Sequence, residues 1–310
     1  MRVFVAGATG VLGIQLVPML VADGHEVVGS SRTRANFEKI SAAGAEPVAM
    51  DGLDARSVAE AVGAARPEVV IHQLTALSGS LDIRRFAKTF ALTNRLRTEG
   101  TDHLLAAARA VGAKRFIGQS YAGWPYARTG GPAKTETDPL DPAPPAAMKS
   151  TLEAIRYLEE RVVAAGGLAL RYGAFYGPGT SMAPGGEQAE AIRTRKFPLI
   201  GAGTGVWSVV HIRDAARATA LAVTTGAPGV YNIVDDDPAP VAEWLPFLAA
   251  RLGAKPPRRL PSWLARLLVG EHAVVMMNSI RGASNAKARA ELGWKPEYPS
   301  WRQGFPASVH

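Results

Sequence analysis

Cysteine is absent from the 310 residues. Disulfides, thiolate metal ligands and cysteine nucleophiles are therefore excluded, and redox logic does not fix a compartment. Long apolar runs are missing too. None approaches the roughly 18 residues a membrane-spanning helix needs, and the opening residues read as a strand instead of a signal peptide. A cytoplasmic protein with no membrane partner is the expectation. Acids are outnumbered, 27 against 35 Lys and Arg, for a net charge of +8. The basic residues are nonetheless scattered among acids, with short doublets such as Arg84-Arg85 and Arg258-Arg259. That pattern fits a solvated surface that draws anionic small molecules, and no nucleic-acid partner is expected. Aromatics make up only 7%, yet the 47% hydrophobic content suffices for a large core.

The most informative stretch is Arg2 to Gly13, RVFVAGATGVLG. Val3 to Ala6 form an apolar run short enough for a strand buried on both faces. Glycines follow at 7, 10 and 13. Gly7 suits a turn with positive φ, Gly10 has no Cβ to hold a pyrophosphate away, and Gly13 lets the next helix lie close to the strand. A helix N-terminus then faces the phosphates with free N–H groups. Gly7, Thr9, Gly10, Val11, Leu12 and Gly13 are accordingly the expected phosphate-binding loop of a dinucleotide site.

A helix is expected over about 11–22, with Ile14, Leu16, Val17 and Leu20 as its apolar side and a kink at Pro18. The second strand, His25 to Ser30, runs into Ser31, Arg32 and Arg34 and lacks the acid that would accept from an adenosine ribose 2′-hydroxyl. Ser31 and Arg32 instead supply donors and positive charge for a 2′-phosphate, so NADP(H) is expected over NAD(H). A third strand, Glu46 to Met50, ends at Asp51, with Asp54 placed to cap the following helix. A fourth strand, Glu68 to His72, follows, and His72 reads as a core histidine. Two long helical stretches, 81–111 (broken near Gly100) and 147–165, flank a fifth strand, Lys114 to Gln119. Their alanine- and leucine-rich outward faces predict a homodimer.

The spacing GxxGxxG resembles the short-chain dehydrogenase/reductase superfamily. LRYGAFYGPGT at 170–180, FPLIGAGTGVWSVVHIRDAARA at 197–218 and NAKARAELGWKP at 285–296 are similar to signatures of its extended branch, which holds nucleotide-sugar epimerases and dehydratases. The resemblance implies an α/β fold: a doubly wound, mostly parallel sheet of seven strands with a smaller C-terminal region. It implies a dinucleotide-binding domain over 1–172, with 206–234 returning to it. Residues 173–205 and 235–310 would form the substrate-binding region. Asp51, Gly52 and Leu53 are implied to meet the adenine, Leu74, Thr75 and Ala76 to lie under the nicotinamide ribose, and Tyr172 and Gly173 to touch the cofactor.

In that branch a tyrosine four residues before a lysine handles the proton, and the lysine holds the nicotinamide ribose. Lys149 matches the lysine, but the tyrosine position is Pro145. The asparagine of the family's N-x-x-G-T pattern is Arg97 here, with Asn94 one turn earlier. The serine or threonine after the fifth strand falls at Ser120 or Tyr121. The expected catalytic group is therefore Tyr121, as a relocated proton donor, with Lys149 and Ser120. Trp207 replaces the arginine that grips a diphosphate in nucleotide-sugar relatives. With Trp124, Tyr126, Phe175 and Tyr176 it is expected to line a pocket for an apolar or aromatic small molecule. No metal site is expected. The activity these residues imply is NADP-dependent reduction of a carbonyl or conjugated double bond, because reduction tolerates a weaker acid than alcohol oxidation tolerates a missing base. The alternatives are an isomerase, epimerase or dehydratase that keeps its cofactor, or a non-catalytic NADP-binding sensor.

Overall fold

The computed structural model describes residues 1–77 and 83–307. Seven parallel strands form one sheet: β1 (Arg2–Ala6), β2 (Glu26–Ser31), β3 (Glu46–Ala49), β4 (Val69–His72), β5 (Arg115–Tyr121), β6 (Leu168–Tyr172) and β7 (Gly229–Ile233). Their spatial order is β7-β6-β5-β4-β1-β2-β3. The chain winds outward from β1 to β3, then restarts on the other side of β1 at β4. Strand order thus reverses between β1 and β4, and the crevice beyond their C-terminal ends is where doubly wound sheets bind ligands.

The sheet is covered on both faces, which is why its strands are apolar on both sides. Val3 and Val5 of β1 pack with Leu16 of α1 (Val11–Ala22) and Ile40 of α2 (Phe37–Ala42). Phe4 and Ala6 face the other way, toward Val58 of α3 (Ala55–Ala65) and the layer described next. That layer continues with α4 (Phe86–Arg95), a π-helical turn (Leu96–Gly100), α5 (Thr101–Ala110) and α6 (Ala146–Ala164). Burying one leucine side chain such as Leu16 is worth about 2 kcal/mol, and dozens of such residues make the core.

The remaining helices are α7 (Glu187–Arg193), α8 (Ile212–Leu221), α9 (Val241–Arg251), α10 (Ser262–Leu268), α11 (Glu271–Asn278), α12 (Ala286–Leu292) and α13 (Trp301–Ala307). A separate apolar cluster unites Trp207, Trp244, Leu248 and Trp301 with Met148, Leu152 and Ile155 of α6. The segment after α12 is latched to α8 by Asp214. Its carboxylate accepts from the backbone N–H of Glu297 (2.7 Å) and Tyr298 (2.9 Å), and its carbonyl accepts from the Trp294 indole (3.0 Å). No helix among the described residues is long and apolar enough to cross a membrane.

Four local expectations are corrected. Ile14 is not on the buried side of α1: it is 54% exposed, and the inward residues are Leu12, Gly13, Leu16, Val17 and Leu20. Pro18 lies on the same exposed side as Ile14, so the carbonyl it leaves unpaired faces water and the helix continues through it. The helical stretch expected from Leu81 begins at a residue outside the described ones. Its described part is not broken at Gly100 but carries a π-helical turn there. Finally, β5 runs two residues further than expected, through Ser120 and Tyr121. Two more strand residues fix which way each of those side chains points.

Candidate active site

At the tip of β1 the backbone turns on Gly7, whose φ is +95°. A Cβ there would lie 2.9 Å from the Gln73 carbonyl oxygen, and one at Gly13 would lie 2.4 Å from that of Gly7. Only glycine allows α1 to start this close to β1 and β4. Gly10 is the N-cap of α1 and no side chain caps the helix. The first-turn N–H groups and the positive end of the dipole are thereby left for an anion. The loop after β6 also approaches: a Cβ at Gly179 would sit 3.6 Å from Val11 Cγ2. These residues fit the diphosphate of a dinucleotide.

At the tip of β2, Ser31 is buried and its hydroxyl is already engaged. It accepts from Thr33 N–H and Asn36 Nδ2 (both 3.3 Å) and donates to the Thr33 carbonyl (3.2 Å). These bonds stay within residues 31–36 and shape the loop that carries Arg32 and Arg34. Arg32 and Arg34 are exposed. Asp51, beyond β3, accepts from Leu53 N–H at 3.0 Å, while Asp54 caps α3 by accepting from Arg56 and Ser57 N–H. Gly52 lies against Leu74 and Leu96. Thr75 and Ala76 continue past β4, where Ala76 N–H donates to Thr93 Oγ1 (3.0 Å). His72 is fully engaged: Nε2 meets the Leu96 carbonyl at 3.1 Å and Nδ1 accepts from Leu74 N–H at 3.2 Å. Burial pushes its pKa down to about 4, so it is a neutral structural group.

Ser120 is not at the mouth of the site. Alternation along β5 puts it on the face of Gly118, which abuts Leu158 and Val162 of α6. Its hydroxyl donates to Glu159 at 2.5 Å. Glu159 in turn takes a bidentate pair from Arg171 (both 2.7 Å). Arg171 donates to the Tyr126 hydroxyl (2.8 Å), and Tyr126 donates to Asn232 Oδ1 (2.6 Å). All five side chains are at most 5% exposed. Ser120 as a catalytic group and Tyr126 as a substrate contact are both corrected: their hydroxyls belong to a buried structural network. Tyr172 is corrected in the same way. Its hydroxyl accepts from Gln73 Nε2 (3.3 Å) and pairs with Thr219 Oγ1 (2.7 Å) in the core, leaving no side-chain donor for a ligand. Gly173 closes against Ser208 and Val209, whose backbone a Cβ would strike at under 3 Å.

The other expected substrate residues divide. Tyr176 is fully buried against His211 and Phe305. Trp207 is 7% exposed, donates to the Met276 carbonyl (2.9 Å) and packs on Trp244. Both are core residues of the C-terminal cluster, which corrects the expectation that they line a pocket. Phe175 is half-buried beside Tyr172. Trp124 is 5% exposed and meets Phe86 edge-on at 6.1 Å, while Phe86 stacks on Phe90 at 4.4 Å.

Tyr121 and Lys149 are not joined to one another. Lys149 is 71% exposed at its side chain and sits 4.0 Å from Glu153 along α6, whose inward residues are Met148, Thr151, Leu152 and Ile155. Tyr121 lies with its ring over Gly123 and packs beside the C-terminal cluster. Burial pushes its hydroxyl up to about 12, against the pull of Arg97. Arg97 is the residue that sequence reasoning missed. It is 5% exposed, and neither Nε nor Nη1 has a partner. Burial lowers its pKa to about 10, which leaves it a cation at neutral pH. A buried guanidinium with open donors is costly unless an anion joins it. The available signal was its helical phase, eleven and seven residues beyond Phe86 and Phe90, on a face that turns inward.

Residues 3–234 match the NAD dependent epimerase/dehydratase family. A 3-diazoavenalumate denitrifying reductase from a Streptomyces species is 46% identical over 308 residues, spanning 98% of this chain and 99% of that protein. A 2-alkyl-3-oxoalkanoate reductase from Stenotrophomonas maltophilia is 28% identical over 82% of this chain and 76% of its own. Among solved structures, the Thermus thermophilus UDP-glucose 4-epimerase in complex with NAD superposes with a TM-score of 0.75 at 26% identity, covering 100% of this chain and 98% of the other. The chain belongs to the NAD dependent epimerase/dehydratase family, and it is an NAD(P)-dependent oxidoreductase of the reductase kind.

The buried network yields a test of the corrected role of Ser120. Ser120→Ala should lower stability in urea unfolding by about 2 kcal/mol, the worth of a hydrogen bond to a charged group. Turnover per folded molecule should stay within about threefold, under 1 kcal/mol of barrier. Glu159→Ala should cost about 3–5 kcal/mol, because it strands the buried Arg171. A tenfold loss of turnover in Ser120→Ala with unchanged stability would return Ser120 to the chemistry.

Proposed function

We propose that the chain reduces a small, electron-poor aromatic molecule with NADPH, and that the accepting group is a diazo group, as the name of its 46% identical relative states for that protein. What supports the reading is the match to the family's pattern, which puts Pro145, a residue with no ionisable group, at the position of the tyrosine acid. Bound NADPH supplies hydride. Reducing a carbonyl also takes a proton at oxygen, so a positioned acid speeds it. Replacing dinitrogen on a cationic diazonium carbon by hydrogen consumes hydride and no proton. A site without the tyrosine suits the second chemistry. Carbonyl reduction, the activity named for the 28% identical relative, is the second reading, with the Tyr121 hydroxyl as its proton donor.

In this reading Gly7 and Thr9 to Gly13 hold the diphosphate, Asp51 to Leu53 the adenine, and Leu74 to Ala76, with Lys149 and the Gly173 backbone, the nicotinamide ribose. Arg32, with Arg34 beside it, takes the 2′-phosphate. Trp124 and Phe175 remain the aromatic residues assigned to substrate. The division into a dinucleotide-binding part, 1–172 with 206–234, and a substrate-binding part belongs to the same proposal. So does a homodimer through α4, α5 and α6, whose outer faces expose Leu92 (39%) and Val163 (37%) among alanines.

Dinitrogen release in step with NADPH oxidation on an ortho-diazo phenolic acid tests the first reading, with a panel of aryl ketones run beside it. Tyr121→Phe separates the two. Diazo reduction should keep its kcat within about threefold, whereas carbonyl reduction should lose about 10²-fold, the usual worth of a positioned acid. No dinitrogen from any diazo acid would end the first reading.

The cofactor assignment predicts that NADPH binds more tightly than NADH and that Arg32→Asp reverses the order in fluorescence titrations. Equal affinities in the unmutated protein would remove its basis. Light scattering at micromolar concentration should show a dimer, and a monomer there would dismiss the proposed helical interface.

A further inference from the structure

We infer that Arg97 is the seat for an anionic oxygen of the substrate, a carboxylate or phenolate on a planar aromatic molecule. The inference rests on the reductase reading above and names the substrate class that the site would admit. Its first support is charge. Arg97 is 95% buried, because only 5% of it is exposed, and its Nε and Nη1 donors are empty. The carboxylate whose field reaches it, Glu159, is already chelated by Arg171 and bonded by Ser120. No ion pair to Arg97 occurs among the described residues. Water can occupy a donor but cannot cancel the charge, so the missing partner is an anion that arrives with a ligand.

The second support is position. Arg97 lies in the π-helical turn Leu96–Gly100, beside the end of β4, where the Leu96 carbonyl accepts from His72. A π turn carries an extra residue and re-aims the side chains around it, and such turns recur at functional sites. Its guanidinium acts on the Tyr121 hydroxyl at the end of β5, and that hydroxyl has no hydrogen-bond partner among the described residues. A guanidinium and a phenol O–H together present the donors that an oxyanion needs.

The third support is shape. Phe86 and Phe90 precede Arg97 on the same helical face, and Trp124 stands edge-on to Phe86. Aromatic side chains on the helix that leads into a buried cation favour a planar aromatic acid over a neutral aliphatic ketone.

Calorimetric titration of the NADP⁺-loaded protein with 4-hydroxycinnamate, and separately with methyl 4-methoxycinnamate, tests this without requiring turnover. The acid should bind at least about tenfold more tightly than the neutral ester. Arg97→Met should weaken the acid by about 10²-fold, leave the ester and NADP⁺ unchanged, and raise the melting temperature, because it removes an uncompensated buried charge. Arg97→Lys, which keeps the charge but loses the planar fork, should fall between the two. Equal binding of acid and ester, unchanged acid affinity in Arg97→Met, or a lowered melting temperature in that variant would each overturn the inference. Arg97-dependent binding of the acid, without turnover of any diazo or carbonyl substrate, would uphold it and discard the reductase substrate reading alone.

Discussion

Glu159 is the hinge on which the β5–β6–β7 half of the sheet is fixed. Its two oxygens take the Arg171 fork, and one of them also takes the Ser120 hydroxyl. Through Arg171 the connection reaches Tyr126 and Asn232, so one carboxylate on α6 ties together β5, β6, the loop after β5 and β7. Such a pair is costly to desolvate, and here each nitrogen of Arg171 and each oxygen of Glu159 has a hydrogen-bond partner. The strand tips above it inherit that rigidity. Tyr121 follows Ser120 directly, so its Cα is held by a neighbour that cannot turn.

The contrast with Arg97 is instructive, since the two arginines are equally buried, at 5% exposure each. Arg171 is satisfied within the chain; Arg97 is not. In a low-dielectric setting the first rigidifies and the second attracts. Structural and ligand-seeking roles for one residue type are distinguished here by the bookkeeping of donors, not by burial or charge.

How much of this was legible in the chain varied with the range of the cause. The glycine loop and the Asp54 cap depend on local geometry, and local geometry leaves a spacing that can be read; the seven-strand sheet is implied only by the family resemblance. Ser120, Tyr126 and Tyr172 were misjudged because their roles depend on direction. One strand ended two residues later than expected, and alternation then sent Ser120 under α6. From the sequence Tyr126 reads as a pocket aromatic and Tyr172 as a cofactor contact implied by the family resemblance, each with a hydroxyl to offer. Whether that hydroxyl is free depends on Asn232 and Thr219, 106 and 47 residues away. Arg97 was visible only as a departure from a pattern, and its isolation needs the whole surrounding shell to be known.

The π-helical turn between α4 and α5 has an implication for how sites of this kind diverge. An α-helix advances 100° per residue, so one extra residue rotates everything before it by about that angle relative to everything after it. Here α5 is held to α3 and the sheet by Leu104, Ala107 and Ala108. The phase of Phe86, Phe90 and Asn94 is set against that fixed frame by the length of five residues, Leu96–Gly100. Removing one residue from the turn would leave the packing of α5 in place and turn Phe86 out of the apolar cluster it shares with Met148 and Leu152 of α6. Ligand choice in this scaffold is therefore exposed to insertion and deletion at a single helical turn, a change that no substitution of the lining side chains can reproduce.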